Sequence, residues 1–267
     1  MNNQPIGIFD SGIGGLTVTK EIVKTLPQES IIYIGDTARV PYGPRSDEVI
    51  TKFALEMVNF LLKRKVKFLV VACNTISAVA YSKIKKFSPV PVLGVLKPAV
   101  FKAARISKTG RIGVIGTDGT IKSNAYGELL KKIRPDATII SCACPLFVPI
   151  AEEGLNKHKA AKLIAKEYLK ELIKARVDTL ILGCTHYPLL YKAISETVGD
   201  EVILVDSSVP TTEMLKARLT EAKLLGKNRK PTLEFYVTDA PDRVQKVAGR
   251  FFGEKLNGRL KKVNLEE

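Results

Sequence analysis

Phe68-Leu69-Val70-Val71-Ala72-Cys73-Asn74-Thr75 is matched later in the chain by Thr179-Leu180-Ile181-Leu182-Gly183-Cys184-Thr185-His186. Each is a short, near-continuous apolar run, the pattern of a parallel strand covered on both faces. Each ends in a small residue, then a cysteine, then side chains that hydrogen-bond. Upstream of the first copy, residues 6–9 read as a strand, 16–26 as a helix, 30–34 as a strand and 46–64 as a long helix. Downstream, 77–85 reads as a helix, 90–95 as a strand and 98–106 as a helix. This alternation predicts a doubly wound α/β fold. The pattern then restarts. Arg111-Ile112-Gly113-Val114-Ile115-Gly116-Thr117 echoes Ile6-Gly7-Ile8-Phe9-Asp10-Ser11 at a spacing of 106 residues, and Cys184 echoes Cys73 at 111. The expectation is two similar doubly wound parallel-sheet domains facing each other across a cleft. Beyond Val202-Ile203-Leu204-Val205-Asp206 come a helix at 210–225, a polar loop at 226–231, a strand at 233–237 and a final helical stretch. This tail is expected to return to the first domain, which gives domains of 1–97 plus 209–267 and of 98–208.

A chain of 267 residues can bury a sizeable core. The N-terminus runs directly into a strand pattern with no basic and apolar leader, and no apolar run nears the ~18 residues that span a bilayer. A cytoplasmic protein without a membrane partner is expected. Four cysteines in a chain of this length do not form a disulfide framework, and free thiols are expected. Cys142 and Cys144 form a C-x-C whose spacing lacks the features of a zinc site, so no metal is expected and both read as small packed residues. The net charge is +15. The basic residues are scattered along helix patterns, so nucleic acid is not an expected partner; a positive field also draws a small anionic substrate.

In open α/β sheets, ligands sit beyond the carboxyl ends of the strands. The residues there are Asp10-Ser11-Gly12, Asp36-Thr37, Pro41-Tyr42-Gly43, Cys73-Asn74-Thr75, Gly116-Thr117 and Cys184-Thr185-His186. No P-loop and no nucleophile elbow is present, and Gly12-Ile13-Gly14-Gly15 does not fit the dinucleotide fingerprint. A cysteine at a helix N-terminus has a favoured thiolate, and a thiol of near-neutral pKa serves as base in one form and acid in the other. Two such thiols on opposite faces of a carbon can remove a proton on one side and return one on the other. Asp10 and His186 are placed to orient these thiols or relay their protons.

These stretches resemble the glutamate racemase family. The matching segments are IGIFDSGIGGLTV (6–18), IGDTARVPYGPRS (34–46), VVACNT (70–75), RIGVIGTDGTIKSNAY (111–126), CPLFVPIAEEGL (144–155) and TLILGCTHYPLL (179–190). The resemblance implies a cofactor-independent isomerase that supplies D-glutamate for peptidoglycan. It implies Cys73 and Cys184 as the two acid/bases, assisted by Asp10, Glu152 and His186. Glu152 is preferred to Glu153 by its place after Pro149-Ile150-Ala151. Asp10, Ser11, Tyr42, Gly43, Asn74, Thr75, Thr117, Thr185 and His186 are the implied substrate-binding set, and a homodimer is the implied assembly. Lys97 precedes the hinge proline, Pro98, where family members often carry an acidic or amide residue. Alternatives from the residues alone are racemisation of aspartate, a thiol redox protein and a basic nucleic-acid-binding module.

Overall fold

The computed structural model describes residues 3–253, 256 and 260–265. The remaining residues of the expected first domain, 1–2, 254–255, 257–259 and 266–267, lie outside the described residues. The chain begins β1 (Ile6–Asp10), α1 (Leu16–Thr25), β2 (Ile31–Gly35), α2 (Asp47–Lys63), β3 (Phe68–Val71), α3 (Asn74–Val79), α4 (Tyr81–Phe87), β4 (Val92–Gly94) and α5 (Leu96–Ile106). It continues with β5 (Arg111–Gly116), α6 (Asp118–Lys122), α7 (Ala125–Ile133), β6 (Thr138–Ala143), α8 (Phe147–Glu152), α9 (Lys159–Lys174) and β7 (Thr179–Gly183). A 3-10 turn (Tyr187–Leu190) leads into α10 (Tyr191–Val198), β8 (Ile203–Val205), α11 (Ser208–Glu221), β9 (Leu233–Val237), α12 (Pro241–Phe252) and β10 (Leu260–Lys262).

The strands form two all-parallel sheets, ordered β10-β9-β2-β1-β3-β4 and β6-β5-β7-β8. Without β9 and β10 the two orders are the same, with β5 standing where β1 stands and β7 where β3 stands. Every residue of β1, β2, β3 and β7 is buried. Side chains of a strand alternate between faces. Ile6 and Ile8 therefore pack with Leu16, Ile22, Leu215 and Phe252 on one side of the first sheet, and Phe9 packs with Ile50, Met57 and Ile76 on the other. Just ahead of β3 and β2, Lys67 pairs with Glu29 at 2.5 Å, both buried, and Glu29 Oε1 also accepts from Gly226 N–H at 2.7 Å. That contact ties the loop after α11 to the first sheet just before β9 joins β2.

One expectation changes shape. The helix expected at 77–85 starts at Asn74, three residues earlier, and is broken into α3 and α4 at Ala80. Cys73 is the N-cap of α3, with Sγ accepting from Ile76 N–H at 3.5 Å. A sulfur cap has no place among the usual Ser, Thr, Asp and Asn signals, so the start is invisible to them. The strand expected at 90–95 is limited to Val92–Gly94, and the helix expected from 98 begins at Leu96. Among the described residues no helix is long and apolar enough to cross a membrane.

Candidate active site

Because the two sheets share one plan, the turns after β3 and β7 carry Cys73 and Cys184 to equivalent places. A cavity of about 340 Å³ lies where these turns meet. Its lining includes Cys73 and Cys184, with Ser11, Asn74, Thr75, Thr117, Thr185 and His186 between them. Tyr42, Gly43 and Glu152 complete the expected set at its wall, and Val148 and Pro149 add an apolar side. A larger groove of about 540 Å³ lies between α5, α7 and α11, but it contains none of these groups.

Asp10 is the expected residue that does not line the cavity. It sits behind the wall, 1% exposed, where Oδ2 accepts from Gly12 N–H at 3.1 Å and Gly15 N–H at 3.0 Å. Burial raises its pKa; the charge of His186 and these backbone donors pull the other way without cancelling the effect. Among the described residues Asp10 Oδ1 has no hydrogen-bond partner. Cys73 lies beside it, with Ser11 Oγ at 3.4 Å from its sulfur.

The thiolate expected at Cys73 is not the resting form. Burial, and then the neighbouring Asp10 charge, push the thiol up to about 12. Hydrogen bonds from Ser11 and Ile76 act in the opposite direction but are outweighed. A six-residue α3 supplies only a short helix N-terminus to offset burial among apolar side chains.

The other side of the cavity has a different electrostatic setting. His186 Nδ1 is 3.8 Å from Cys184 Sγ, and its Nε2 is 3.0 Å from Glu152 Oε1. Burial opposes a charged imidazole here. Hydrogen bonds with Cys184 and Glu152, together with their charges, overcome it and raise His186 to about 10. The same His186 bond lowers Glu152 against its burial. Glu153 points elsewhere, 3.8 Å from Arg243 at the surface. The ring of Phe251 from α12 meets His186 edge-on at 5.1 Å, and Arg250 donates to the Glu152 carbonyl.

Tyr42 reaches the cavity wall, but its hydroxyl turns away from it and donates to Asp36 Oδ2. Asp36, fully buried, also accepts from Arg39 Nε at 2.6 Å and from Thr238 Oγ1 at 2.8 Å. It therefore anchors the loop that carries Tyr42 and Gly43 and connects it to β9. Thr75 Oγ1 lies 2.8 Å from Thr117 Oγ1 and 3.2 Å from Thr120 Oγ1, and Thr17 Oγ1 donates to the Thr185 carbonyl at 3.3 Å. These bonds join the two domains across the cavity.

The roles of Asp36 and Thr120 escape sequence reasoning. Asp36 stands at a strand end without a signal for its partners, and Thr120 lies inside a helix. Cys142 and Cys144, expected to be packed residues, have sulfurs 4.0 Å apart; Cys144 is buried, and Cys142, half-buried, also donates to the Tyr168 carbonyl at 3.2 Å. They lie outside the cavity lining.

Residues 6–215 match the model of the Asp/Glu/Hydantoin racemase family. A glutamate racemase of Geobacter metallireducens is 50% identical over 266 residues, covering 98% of this chain and 97% of that one. The fold superposes on a glutamate racemase isoform of Bacillus anthracis with a TM-score of 0.95 at 40% identity, over 99% of each chain. A glutamate racemase of Francisella tularensis, solved in complex with D-glutamate, gives a TM-score of 0.94 at 40% identity, over 100% of this chain and 99% of that one.

Proposed function

Because the chain belongs to the glutamate racemase family, we propose that it interconverts L-glutamate and D-glutamate by a two-thiol proton transfer that needs no pyridoxal phosphate. The observation that carries this reading is the meeting of Cys73 and Cys184, from equivalent turns of two similar domains, at one cavity.

The α-proton of an amino acid carboxylate is weakly acidic, so the site must stabilise negative charge as it builds on the carboxylate. Among the described residues no lysine or arginine lines the cavity. Apart from His186, the task falls to neutral donors: the hydroxyls of Ser11, Thr75, Thr117 and Thr185 and the amide of Asn74. Their worth increases when the cleft excludes water. In the resting site Cys73, held protonated, is the acid. Cys184 beside cationic His186 is the base. Cys184 takes the Cα proton on one face while Cys73 delivers its own to the other. The turnover leaves Cys73 as thiolate and Cys184 as thiol, which is the starting state for the opposite enantiomer. Asp10 relays protons at Cys73, and the Glu152–His186 pair does so at Cys184.

The product would supply peptidoglycan synthesis in the cytoplasm, a reducing compartment that suits four unpaired cysteines. A homodimer is the expected assembly, which sedimentation velocity would test. The deciding experiment incubates the purified protein with L-glutamate in D₂O, without pyridoxal phosphate, and follows optical rotation and α-deuterium together. Loss of rotation with deuterium in the product is expected. Turnover of aspartate alone would correct the substrate, and no turnover of either acid would remove the function.

A further inference from the structure

Asn74 opens α3 and is 2% exposed. Its side-chain amide has two unlike edges. The Oδ1 edge accepts from the Tyr126 hydroxyl at 2.6 Å. Among the described residues the Nδ2 edge has no hydrogen-bond partner, although Asn74 lines the cavity beside Cys73 and Thr75. A buried donor without an acceptor is unfavourable, and beside a cavity the natural remedy is an acceptor on the ligand. A primary amide can also turn over and exchange its two edges. Its orientation is therefore set by whatever holds one edge.

Tyr126 belongs to α7 of the second domain and is 2% exposed, so its bond to Asn74 crosses between domains. A phenol can donate or accept. The buried Ser207, at the start of α11, lies beside the phenol, and among the described residues its Oγ has no hydrogen-bond partner. Here the phenol hydrogen goes to Asn74 Oδ1.

We propose that Tyr126 is a positioning residue: its hydroxyl holds Asn74 Oδ1 away from the cavity, so that Nδ2 is the edge offered to a carboxylate oxygen of the substrate. The identity of that carboxylate rests on the glutamate reading, whereas the orientation of the amide does not. Turned over, the amide would present Oδ1 to the carboxylate and repel it. Since the bond joins the two domains, Asn74 is fixed as a donor in the closed arrangement, where the substrate needs it.

A double-mutant cycle tests the role in turnover. Tyr126→Phe removes one hydroxyl and is expected to lower kcat/KM roughly ten- to hundredfold, mainly through KM, as for a lost bond to a charged group. In an Asn74→Ala background the same substitution should change kcat/KM by less than about twofold. Equal losses in both backgrounds would overturn the proposal, because a purely structural role of Tyr126 survives the loss of Asn74. The amide itself gives a second readout in protein labelled with ¹⁵N-asparagine, with its signals assigned by their absence in Asn74→Ala. Tyr126→Phe should shift the Asn74 side-chain signals and speed their exchange with water. In the wild type, D-glutamate should move the same protons downfield as Nδ2 gains an acceptor. Unchanged signals in the variant, or in the wild type with D-glutamate bound, would overturn the proposal. If the wild type turns over no glutamate, the glutamate reading fails, and the ligand-free spectra of wild type and Tyr126→Phe still decide whether Tyr126 orients the amide.

Discussion

Cys73 and Cys184 occupy equivalent positions in unequal surroundings. Cys73 faces a buried carboxyl group, while Cys184 faces an imidazole whose pKa is raised by its bonds to Cys184 itself and to Glu152. A two-base reaction needs an acid on one face of Cα and a base on the other, and the two thiols meet unlike neighbours there. Substituting alanine for either cysteine should therefore lower racemisation of both enantiomers by at least about a thousandfold, since both directions use both groups. Polarimetry started from each enantiomer would check this, and full activity in either variant would refute the mechanism. The same groups set the pH dependence of stability. His186 is raised from 6.5 to about 10, so its contribution is complete below about pH 6.5 and is lost as pH rises through 10. Cys73 is raised from 9.0 to about 12, so the folded state loses further stability across that interval. Glu152 is lowered, and its contribution is lost as the pH falls below the usual carboxylate range. Thermal midpoints measured across pH should decline on the alkaline side from near 6.5. In His186→Asn the limb between 6.5 and 10 should flatten; an unchanged limb would show that the imidazole carries no such linkage.

At the scale of elements, the turn after β1 is constrained by the opposite domain. A Cβ built on Gly14 would lie 2.2 Å from Thr185 Oγ1 and 2.5 Å from His186 Nδ1. Neither neighbour is the free end of a long side chain, and both are at the cavity. Gly14→Ala should therefore hold the cleft apart, lowering kcat/KM by about a hundredfold or more as the reacting groups are displaced by the order of an ångström. Each domain keeps its own core, so the thermal midpoint should fall much less than activity. Steady-state kinetics beside calorimetry would check this, and near-normal kcat/KM would show that the turn can yield. The close approach of Gly14 to Thr185 was not legible in the sequence, because that contact spans 171 positions. The same limit applies to Asp36 and Tyr126. Their partners are distant in sequence, and a periodic pattern reports which face a residue takes rather than what it meets there. The β strands were more legible than the helix starts, since an apolar β-branched run declares itself and a sulfur cap does not.

The repeated strand–Cys pattern made the two-sheet architecture legible, because two copies of one strand order place equivalent turns at equivalent ends of the sheets. The electrostatic state of those turns was not legible: it depends on burial, on Asp10 and Glu152 brought in from separate elements, and on the bond His186 makes with Glu152. Charge has a further consequence for the whole molecule. The net charge is +15, yet among the described residues no lysine or arginine lines the cavity. Any attraction of glutamate, which is an anion at neutral pH, by lysine and arginine must therefore be long-range and open to screening. The Debye length shrinks from about 30 Å at 0.01 M salt to about 10 Å at 0.1 M. KM should accordingly rise a few-fold between these conditions and further toward 0.3 M, while kcat, set by groups inside a closed cavity that salt screens weakly, stays within about twofold. Initial rates across glutamate concentration at several chloride levels would check this. A flat KM would mean that the surface charge does not reach the cleft and serves only solvation. A falling kcat with constant KM would place the salt sensitivity in the closure of the two domains instead.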